Sequence, residues 1–279
     1  MGKINFNKKI VIFITMLIII IVAAVSVAIN IILPNIKYNK AVDLMNSGYG
    51  DDACILFEEL GDYKDSVTYL KKIQLKNARV GEYITFGKYE QDNDTSNGAE
   101  DIEWLVLEIK NDKALVVSKY GLDSKSYHDA WVNVTWETSS LRKWLNSEFI
   151  DTAFSEKDKE LIPVSDVSAH SNPGYENGNA VNTPPGKLTQ DKVFLLSARE
   201  AYKYFDSNEE RRCKATEYAI SKGCSNFSEK GNDWFTRTAG GSQQFVAMVN
   251  HVGAVAPGGA NVGKDIEAVR PALWINLDF

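Results

Sequence analysis

The chain has 279 residues, of which 44% are hydrophobic and 24% charged, and its formal net charge is −6 at pH 7. This composition is ordinary for a folded protein and leaves room for one sizeable domain with extensions or for two small domains. The acidic balance argues against a nucleic-acid partner, because nucleic-acid-binding domains usually carry a basic face.

Residues 10–33 form the first element, an uncharged apolar run that is interrupted by Thr15, Ser26 and Asn30. As a helix with a rise of about 1.5 Å per residue, the run spans about 36 Å, enough to cross a hydrocarbon core of about 30 Å with some tilt. We interpret it as an uncleaved transmembrane signal anchor. A cleaved signal peptide is the alternative, because lysines precede the run and small residues lie within it.

The lysines before this run predict its orientation. Lys3, Lys8 and Lys9 lie on the N-terminal side, and positively charged flanks stay on the cytoplasmic side of the membrane. We therefore expect residues 1–9 to form a cytoplasmic tail. The rest of the chain is then expected outside the cell membrane, as in a single-pass protein with an extracellular domain.

Residues 37–78 are predicted to be helical. Small and large apolar residues alternate at helical spacing on both sides of a turn at Gly48 and Tyr49, and a second turn falls at residues 60–66. Helix pairs of this kind resemble a tetratricopeptide unit, but the segment holds about one and a half copies, whereas about three are needed for independent stability. We expect a short helical stalk, with a partner-binding role as the alternative.

Beyond this segment the pattern changes to short strands and helices in irregular order, which predicts an α+β domain over residues 80–279. Apolar runs bounded by turn residues predict strands at 83–86, 102–107, 114–118, 193–196, 234–238, 244–250 and 272–277. Helical spacing predicts helices at 140–149, 156–162, 198–205 and 216–221. The polar segment 163–190 predicts an ordered excursion or a mobile loop, and the Gly-rich segment 253–263 predicts a turn.

The segment Trp136–Asn146 predicts a capped, half-buried helix. Thr138 or Ser139 can accept a hydrogen bond from an N–H of the first turn. Arg142 and Asn146 are four residues apart and therefore lie on one face of the helix. Their side chains can bind a backbone carbonyl or carboxylate of another segment of the chain, or they can face a ligand.

Two later arginines, Arg237 and Arg270, lie in comparable apolar settings. An arginine beside aromatic residues such as Trp234 fits either a core network or a sugar-binding surface. For Arg142 we favour a structural role, because the fork of guanidinium donors suits it to bridging irregular loops. The candidate carboxylate partners are Glu103, Asp191 and Glu200.

An acidic turn is a candidate calcium site. Asp92, Asp94 and Glu103 have the spacing of positions 1, 3 and 12 of a calcium loop, but the required glycine is displaced by one position, to Gly98. Strands rather than helices flank the turn. A polar hairpin turn is therefore the preferred interpretation, calcium is the alternative, and no other cofactor is expected.

Support for catalysis is weak in the sequence. His128, His170 and His251 are isolated from nucleophiles and from residues at metal-ligand spacing, and Ser197 lacks the flanking glycines of a nucleophile elbow.

The cysteines do not form a metal-binding or redox motif, because no CxxC pair is present. We expect Cys54, Cys213 and Cys224 to be small buried thiols, with a bridge between Cys213 and Cys224 as the alternative.

Six ordered motifs resemble the bacterial domain of unknown function 6273 over about residues 80–278. They are Phe86–Asp92, Ile102–Leu107, Trp136–Asn146, Asp191–Ser197, Trp234–Arg237 and Val269–Ala272. The preceding helical segment resembles stalks that are placed before such domains in Gram-positive membrane proteins. The resemblance implies no established activity.

The late Trp…Arg and Val-Arg-Pro pattern is more loosely similar to formylglycine-generating enzymes and their C-type-lectin-like relatives, which implies a mixed fold of that kind. Those enzymes depend on paired cysteines late in the domain. Here Cys213 and Cys224 precede Trp234 and no cysteine follows it, so oxidase chemistry of that kind is not expected.

We therefore expect a membrane-anchored cell-surface module that binds a glycan, cell-wall material or a protein. Loops 163–190, 222–233 and 253–265 are the expected contact surfaces, and the expected anchors are Trp131, Tyr175, Trp234 and Arg237. The full set of candidate binding residues is Arg142, Asn146, Trp234, Arg237, His251 and Arg270. The alternative is a hydrolase or modifying enzyme that uses Arg142, Arg237 or His251 in a shared pocket.

Overall fold

The computed structural model describes residues 8–175, 183–227 and 230–278. The chain divides into two compact units, Met1–Lys76 and Asn77–Phe279.

The first unit begins with a long apolar helix. Helix α1 (Lys8–Val27) continues through one π-helical turn (Ala28–Ile32) into α2 (Leu33–Asn46). The Leu33 N–H bonds to the carbonyl of Ala28, five residues back, directly before Pro34, which has no N–H to donate. The stretch Ile12–Asn46 is long and apolar enough to cross a membrane, a test that an N-terminal signal sequence also passes.

Three helices form the rest of this unit, as the spacing over residues 37–78 predicts. Helix α2 is followed by α3 (Gly50–Leu60) and α4 (Ser66–Lys76). Their small and large apolar residues meet in one cluster, which contains Ala41, Ala53, Phe57 and Ile73. Close approach of small and large side chains therefore explains the alternation seen in the sequence.

The second unit is a mixed α+β domain. Its strands are β1 (Tyr83–Tyr89), β2 (Glu100–Lys110), β3 (Lys113–Ser118), β4 (Asp123–Ser124), β5 (Ser165–Val167), β6 (Thr189–Asp191), β7 (Val193–Leu195), β8 (Trp234–Ala239), β9 (Phe245–Val249), β10 (Val255–Asn261), β11 (Ala268–Val269) and β12 (Pro271–Asn276). Within the described ranges they form two five-stranded sheets, ordered β1-β2-β3-β12-β7 and β10-β9-β8-β11-β4, and the ribbon β5-β6. Pairing is antiparallel except between β8 and β11.

Short helices connect the strands. They are α5 (Ser140–Trp144), α6 (Ile150–Ala153), α7 (Glu156–Leu161), α8 (Ala198–Tyr204), α9 (Asn208–Arg211) and α10 (Glu217–Ser221). A π-helical turn at Leu145–Phe149 joins α5 to α6, so the predicted helix 140–149 runs on to Ala153. Ser139 caps it by accepting a hydrogen bond from the Arg142 N–H.

Strand β8 is the middle strand of the sheet β10-β9-β8-β11-β4, and all six of its residues are buried. Beyond its own sheet it contacts β7, and the Arg237 N–H donates to the carbonyl of Leu196, the residue after β7, at 3.0 Å. The two large sheets therefore meet where β7 lies beside β8, and α8 follows directly after β7.

One predicted element is wrong. The Gly-rich segment 253–263 contains strand β10, which pairs with β9 and shifts register between Ala256 and Ala260. Glycines are typical of turns, but here they allow a bulge inside a strand. The segment 163–190 contains the ribbon strands β5 and β6, and its residues 176–182 lie outside the described residues.

Candidate functional site

Arg142 ties its helix to the ribbon through a buried carboxylate. Its Nε donates to Asp191 Oδ1 at 2.6 Å, and its Nη1 and Nη2 donate to the carbonyls of Glu137 and Gln190. The second carboxylate oxygen of Asp191 accepts from Trp136 Nε1 at 2.9 Å and from Thr189 Oγ1 at 2.7 Å. Asp191 was one of the three predicted partners of Arg142.

Asn146 extends the same connection. Its Nδ2 donates to the carbonyls of Arg142 and Val193, and its Oδ1 accepts from the N–H groups of Lys192 and Val193 at 2.8 and 3.1 Å. One side-chain amide thus satisfies backbone groups that the turn between β6 and β7 leaves unpaired. By this geometry, Arg142 and Asn146 join separate segments of the chain.

Arg237 is buried and bonded to both oxygens of Glu200. Its Nη1 lies 2.6 Å from Oε2 and its Nη2 lies 2.8 Å from Oε1, while its Nε donates to the Ser168 carbonyl at 2.8 Å. Burial raises the pKa of Glu200, whereas the charge and hydrogen bonds of Arg237 lower it. The lowering is the larger effect, so the pKa of Glu200 is below its ordinary value. Glu200 is therefore ionised and held by a bidentate pair.

Arg270 lies between two aromatic rings in the core. Its guanidinium carbon is 5.3 Å from the Phe205 ring and 5.0 Å from the Trp234 ring. Its Nε and Nη1 donate to the carbonyls of Ser118 and Arg211. Trp234 is fully buried and its Nε1 donates to the same Arg211 carbonyl at 3.1 Å, so both residues have core positions.

His251 lies in a different part of the domain. Its backbone N–H and its Nδ1 both contact Asp233 Oδ1, at 2.5 and 3.1 Å, and its ring stacks on Phe227 at 4.4 Å. Near Asp233 lies Glu267, whose pKa is raised to about 7, first by burial and also by the Asp233 charge.

The three cysteines are free thiols, and Cys213 and Cys224 are buried. Burial raises the pKa of both thiols, that of Cys224 to about 12. Because the thiolate is the reactive form, these protonated thiols are poor nucleophiles.

The acidic turn is a polar hairpin turn between β1 and β2. Asp92 and Asp94 accept hydrogen bonds from groups of the turn itself, and Glu103 is paired with Lys119 at 2.7 Å. Among the described residues, the carboxylates that come within metal-binding reach of one another are those of Glu90, Asp92 and Glu100. This set differs from the predicted Asp92, Asp94 and Glu103, because the Glu103 carboxylate pairs with Lys119 instead.

An open pocket of about 630 Å³ lies beside α8. Its lining consists of His170, Pro173, Arg199, Glu200, Tyr202, Lys203 and Tyr204. The helix begins after Ser197, whose Oγ accepts the Glu200 N–H while Glu200 Oε2 accepts the Ser197 N–H, a reciprocal cap that fixes its first turn. The exposed face of a firmly held helix thus forms one side of the pocket.

His170 also lines this pocket. Its Nδ1 lies 3.1 Å from Ser197 Oγ, and its backbone adopts a left-handed conformation with φ of 54°. Burial lowers the pKa of His170, the charge of Glu200 raises it, and the charges of Arg237 and Arg199 lower it, with a net lowering. His170 is therefore neutral near pH 7.

A family model described as domain of unknown function (DUF6273) matches residues 111–277. The chain belongs to the DUF6273 family. No curated protein and no solved structure matches the chain. The DUF6273 match includes Arg142, Arg237, Arg270 and every residue that lines the pocket, so the whole candidate site lies within the family domain.

The predicted binding residues of this DUF6273 domain do not meet in one place. Arg142 and Asn146 share one helix, and Arg270 stacks on Trp234, but neither pair lines the pocket, nor does His251. Arg237 reaches the pocket through Glu200. The side chain of Tyr175, a predicted anchor, lies outside the described part of the chain.

The residues that line the pocket are not among the binding residues predicted from the sequence, apart from the contact of Arg237 with Glu200. The pattern Ser197-x-x-Glu200 is a capping-box signal that places Arg199, Tyr202 and Lys203 on a short helix. No comparable signal marks His170, because it reaches Ser197 from 27 residues away through a left-handed backbone.

Proposed function

We propose that this protein is a membrane-anchored binding module of the cell surface, which recognises a glycan, cell-wall material or a surface protein. The apolar helix within residues 10–33 serves as an uncleaved anchor, with the N-terminus in the cytoplasm and the second unit outside. The composition and length of that helix support the anchor, and the lysines that precede it support the orientation. A C-type-lectin-like fold for the second unit remains part of this proposal.

The pocket beside α8 is the observation that carries the binding function. Arg199, Tyr202 and Lys203 present charged and aromatic groups on its surface, and Tyr202 is 50% exposed. Pockets that bind ligands combine such convergent polar groups with aromatic side chains on a rigid support. Here the support is rigid because the cap of α8 and the Arg237–Glu200 pair fix its inner face.

The side chains behind the pocket favour binding over catalysis. Glu200 is already bonded to Arg237 through both oxygens, so it is not placed to act as a general base. The buried thiols are protonated and line no part of this pocket. The arginines predicted for a shared catalytic pocket are instead used to join segments of the domain.

Binding to a panel of glycans, cell-wall polymers and surface proteins tests this proposal. The full chain, purified in detergent or nanodiscs, is compared with the Tyr202→Ala and Trp131→Ala variants. Both residues are well exposed, at 50% and 59%, but Tyr202 alone of the two lines the pocket, and Trp131, an anchor expected from the sequence, represents a competing site outside it. We expect Tyr202→Ala to weaken binding about tenfold or more, as for an aromatic contact at the centre of a site, and Trp131→Ala to leave it unchanged.

Two results contradict the proposal. Failure of the folded full chain to bind any member of the panel opposes the binding function itself. Loss of binding in Trp131→Ala but not in Tyr202→Ala retains the function and rejects the pocket as its site.

A hydrolase is the second candidate, because His170 Nδ1 and Ser197 Oγ lie within hydrogen-bonding distance, as a base and a nucleophile must. Against it, Ser197 is fully buried and its Oγ caps α8. Incubation of the full chain with the ligands it binds separates the two functions. Turnover that disappears in Ser197→Ala, while ligand binding remains, supports the hydrolase; unchanged ligands support a binding module.

A further inference from the structure

The segment that carries His170 is fixed from several sides. Arg237 Nε donates to the Ser168 carbonyl at 2.8 Å, and Thr238 Oγ1 donates to the Ala169 carbonyl at 2.7 Å. The His170 N–H donates to Ser168 Oγ at 3.2 Å. A left-handed backbone is uncommon for a residue other than glycine, and here these bonds maintain it. The imidazole therefore has a defined position at the pocket wall.

Ser197 is the partner from which we assign the hydrogen of the neutral imidazole. Ser197 Oγ accepts the Glu200 N–H at 3.2 Å and lies 3.1 Å from His170 Nδ1, and we assign its hydroxyl hydrogen to that nitrogen. With Nδ1 as the acceptor, a neutral imidazole carries its hydrogen on Nε2. His170 thus offers an N–H donor at a wall of the pocket.

The charges around the pocket favour an acceptor with negative charge. Arg199 and Lys203 line it and are exposed. The one carboxylate in the lining, that of Glu200, is neutralised by Arg237, and the Lys203 ammonium pairs with Glu108 outside the lining at 3.0 Å. Hydrogen-bond donors from Arg199, Lys203 and His170 therefore line the pocket beside a single carboxylate that is already paired.

We propose that this pocket binds an anionic group of the ligand, a carboxylate or a phosphate, through His170 Nε2 and the Arg199 guanidinium. The proposal rests on the binding function proposed above. Arg199 also donates to Ser171 Oγ at 2.9 Å, a bond that positions its guanidinium beside the His170 segment. A guanidinium and an imidazole together suit the planar, multiple acceptors of either anion.

Binding of an anion here is coupled to protonation of His170. The charged groups that face the imidazole are Glu200, Arg237 and Arg199, with Lys203 further along the lining. A bound anion favours the imidazolium and raises the pKa of His170 from its lowered value. By linkage the complex takes up a proton, so affinity rises as the pH falls through the pKa of the complex towards the lowered pKa of His170 in the free protein.

Titration calorimetry of the full chain in detergent with glucuronic acid, glucose 6-phosphate and uncharged glucose tests the proposal. We expect either anion to bind about tenfold or more tightly than glucose, as for hydrogen bonds between charged groups. The first two ligands distinguish a carboxylate from a phosphate. Glucuronic acid also carries the pH comparison, because its carboxylate stays ionised between about pH 7.5 and pH 5.5.

Variants assign the effect to named groups. Arg199→Gln should weaken anion binding about tenfold, whereas Arg212→Gln, at a partly exposed arginine outside the lining, should not change it. His170→Asn should remove the rise in affinity at low pH, since asparagine tolerates the left-handed backbone but does not titrate. Circular dichroism confirms that each variant is folded.

Equal binding of glucose and the two anions overturns the proposal, as does an unchanged pH dependence in His170→Asn. A preference for anions that Arg199→Gln does not reduce also overturns it. If the chain binds its panel ligands through Tyr202 yet shows no preference for anions, this inference fails while the proposed function stands. If it binds neither panel ligands nor anions, both fail.

Discussion

Arg237 carries a positive charge into the core, where its side chain is 2% exposed and joins three separate segments. Replacement by alanine leaves the Glu200 carboxylate without its partner in a buried position. We expect Arg237→Ala to lower the free energy of unfolding by about 3–5 kcal/mol, the usual cost of breaking a buried pair. Urea unfolding of the second unit, followed by tryptophan fluorescence, measures this.

The control is Arg212→Ala. Arg212 pairs with Glu209 at 2.8 Å, three residues earlier, where both side chains are more exposed. A surface pair of this kind contributes about 1 kcal/mol or less. Equal losses in the two variants would show that burial of the Arg237–Glu200 pair does not determine its contribution.

We expect Glu267 to make the stability of the second unit depend on pH. Its side chain is 4% exposed, Oε2 has no hydrogen-bond partner, and its pKa is raised from 4.5 to about 7, first by burial. Between these two values the unfolded state loses the proton while the folded state retains it. The stability that the protonated form contributes is therefore present below about pH 4.5 and lost as the pH rises to about 7.

This shift corresponds to a loss of at most about 3 kcal/mol between pH 4.5 and pH 7. Glu267→Gln keeps the shape and removes the titration, so its free energy of unfolding should exceed that of the unaltered chain at about pH 8 and approach it at about pH 4.5. Denaturant titrations at both pH values measure the difference. A variant that parallels the unaltered chain at every pH would contradict the role of this carboxyl group.

Sequence reasoning identified residues whose chemistry is local and missed those that depend on distant contacts. For Arg142 a carboxylate partner was predicted, because a guanidinium in an apolar helix needs one, and Asp191 was one of three candidates. His170 was predicted to be isolated from nucleophiles and Ser197 to lack the flanking glycines of a nucleophile elbow, since their contact depends on the path of the chain between them. The pocket is made of such long-range contacts, and so the sequence predicted its loop but not its lining.

At the level of elements, the strands of the first sheet were predicted well because their apolar runs are continuous and bounded by turns. Strand β10 was missed because it contains Pro257, Gly258 and Gly259, which normally interrupt strands. It persists because pairing with β9 resumes after the bulge. A glycine-rich sequence therefore indicates that the backbone must adopt unusual conformations. Turns and bulged strands both require this.

Gly259 tests this explanation of β10. Its φ is +77°, and a Cβ there would lie 2.0 Å from the Val246 carbonyl oxygen. We expect Gly259→Ala to destabilise the second unit by about 2 kcal/mol or more, because strain adds to a steric clash with a paired strand. Thermal unfolding measures the loss.

Gly98→Ala separates strain from close contact. Gly98 has a similar φ of +88°, but a Cβ there would meet nothing within 4 Å. Its substitution should cost about 1 kcal/mol, from the backbone conformation alone. If both variants lose the same stability, the approach of β9 to Gly259 is not what requires glycine.

At the scale of the whole molecule, the proposed anchor predicts how the protein partitions. The full chain should remain in the membrane fraction after alkaline extraction, and a chain that begins at residue 34 should be soluble. The substitutions Ile20→Arg and Ile21→Arg, near the middle of the apolar run, should each oppose membrane insertion by about 2.5–3.5 kcal/mol. They should therefore release part of the protein from the membrane fraction. As a control, Asn30→Leu adds no charge and should leave retention in the membrane fraction unchanged.

The same experiment distinguishes an anchor from a signal peptide and determines orientation. Mass spectrometry of the membrane-bound protein should recover peptides from before the apolar run together with peptides from the second unit. Protease added to intact cells should digest the second unit but not the lysine-containing tail, because that tail is expected on the cytoplasmic side. Recovery of a soluble chain that lacks the apolar run would show cleavage, and protection of the second unit from protease would show the opposite orientation.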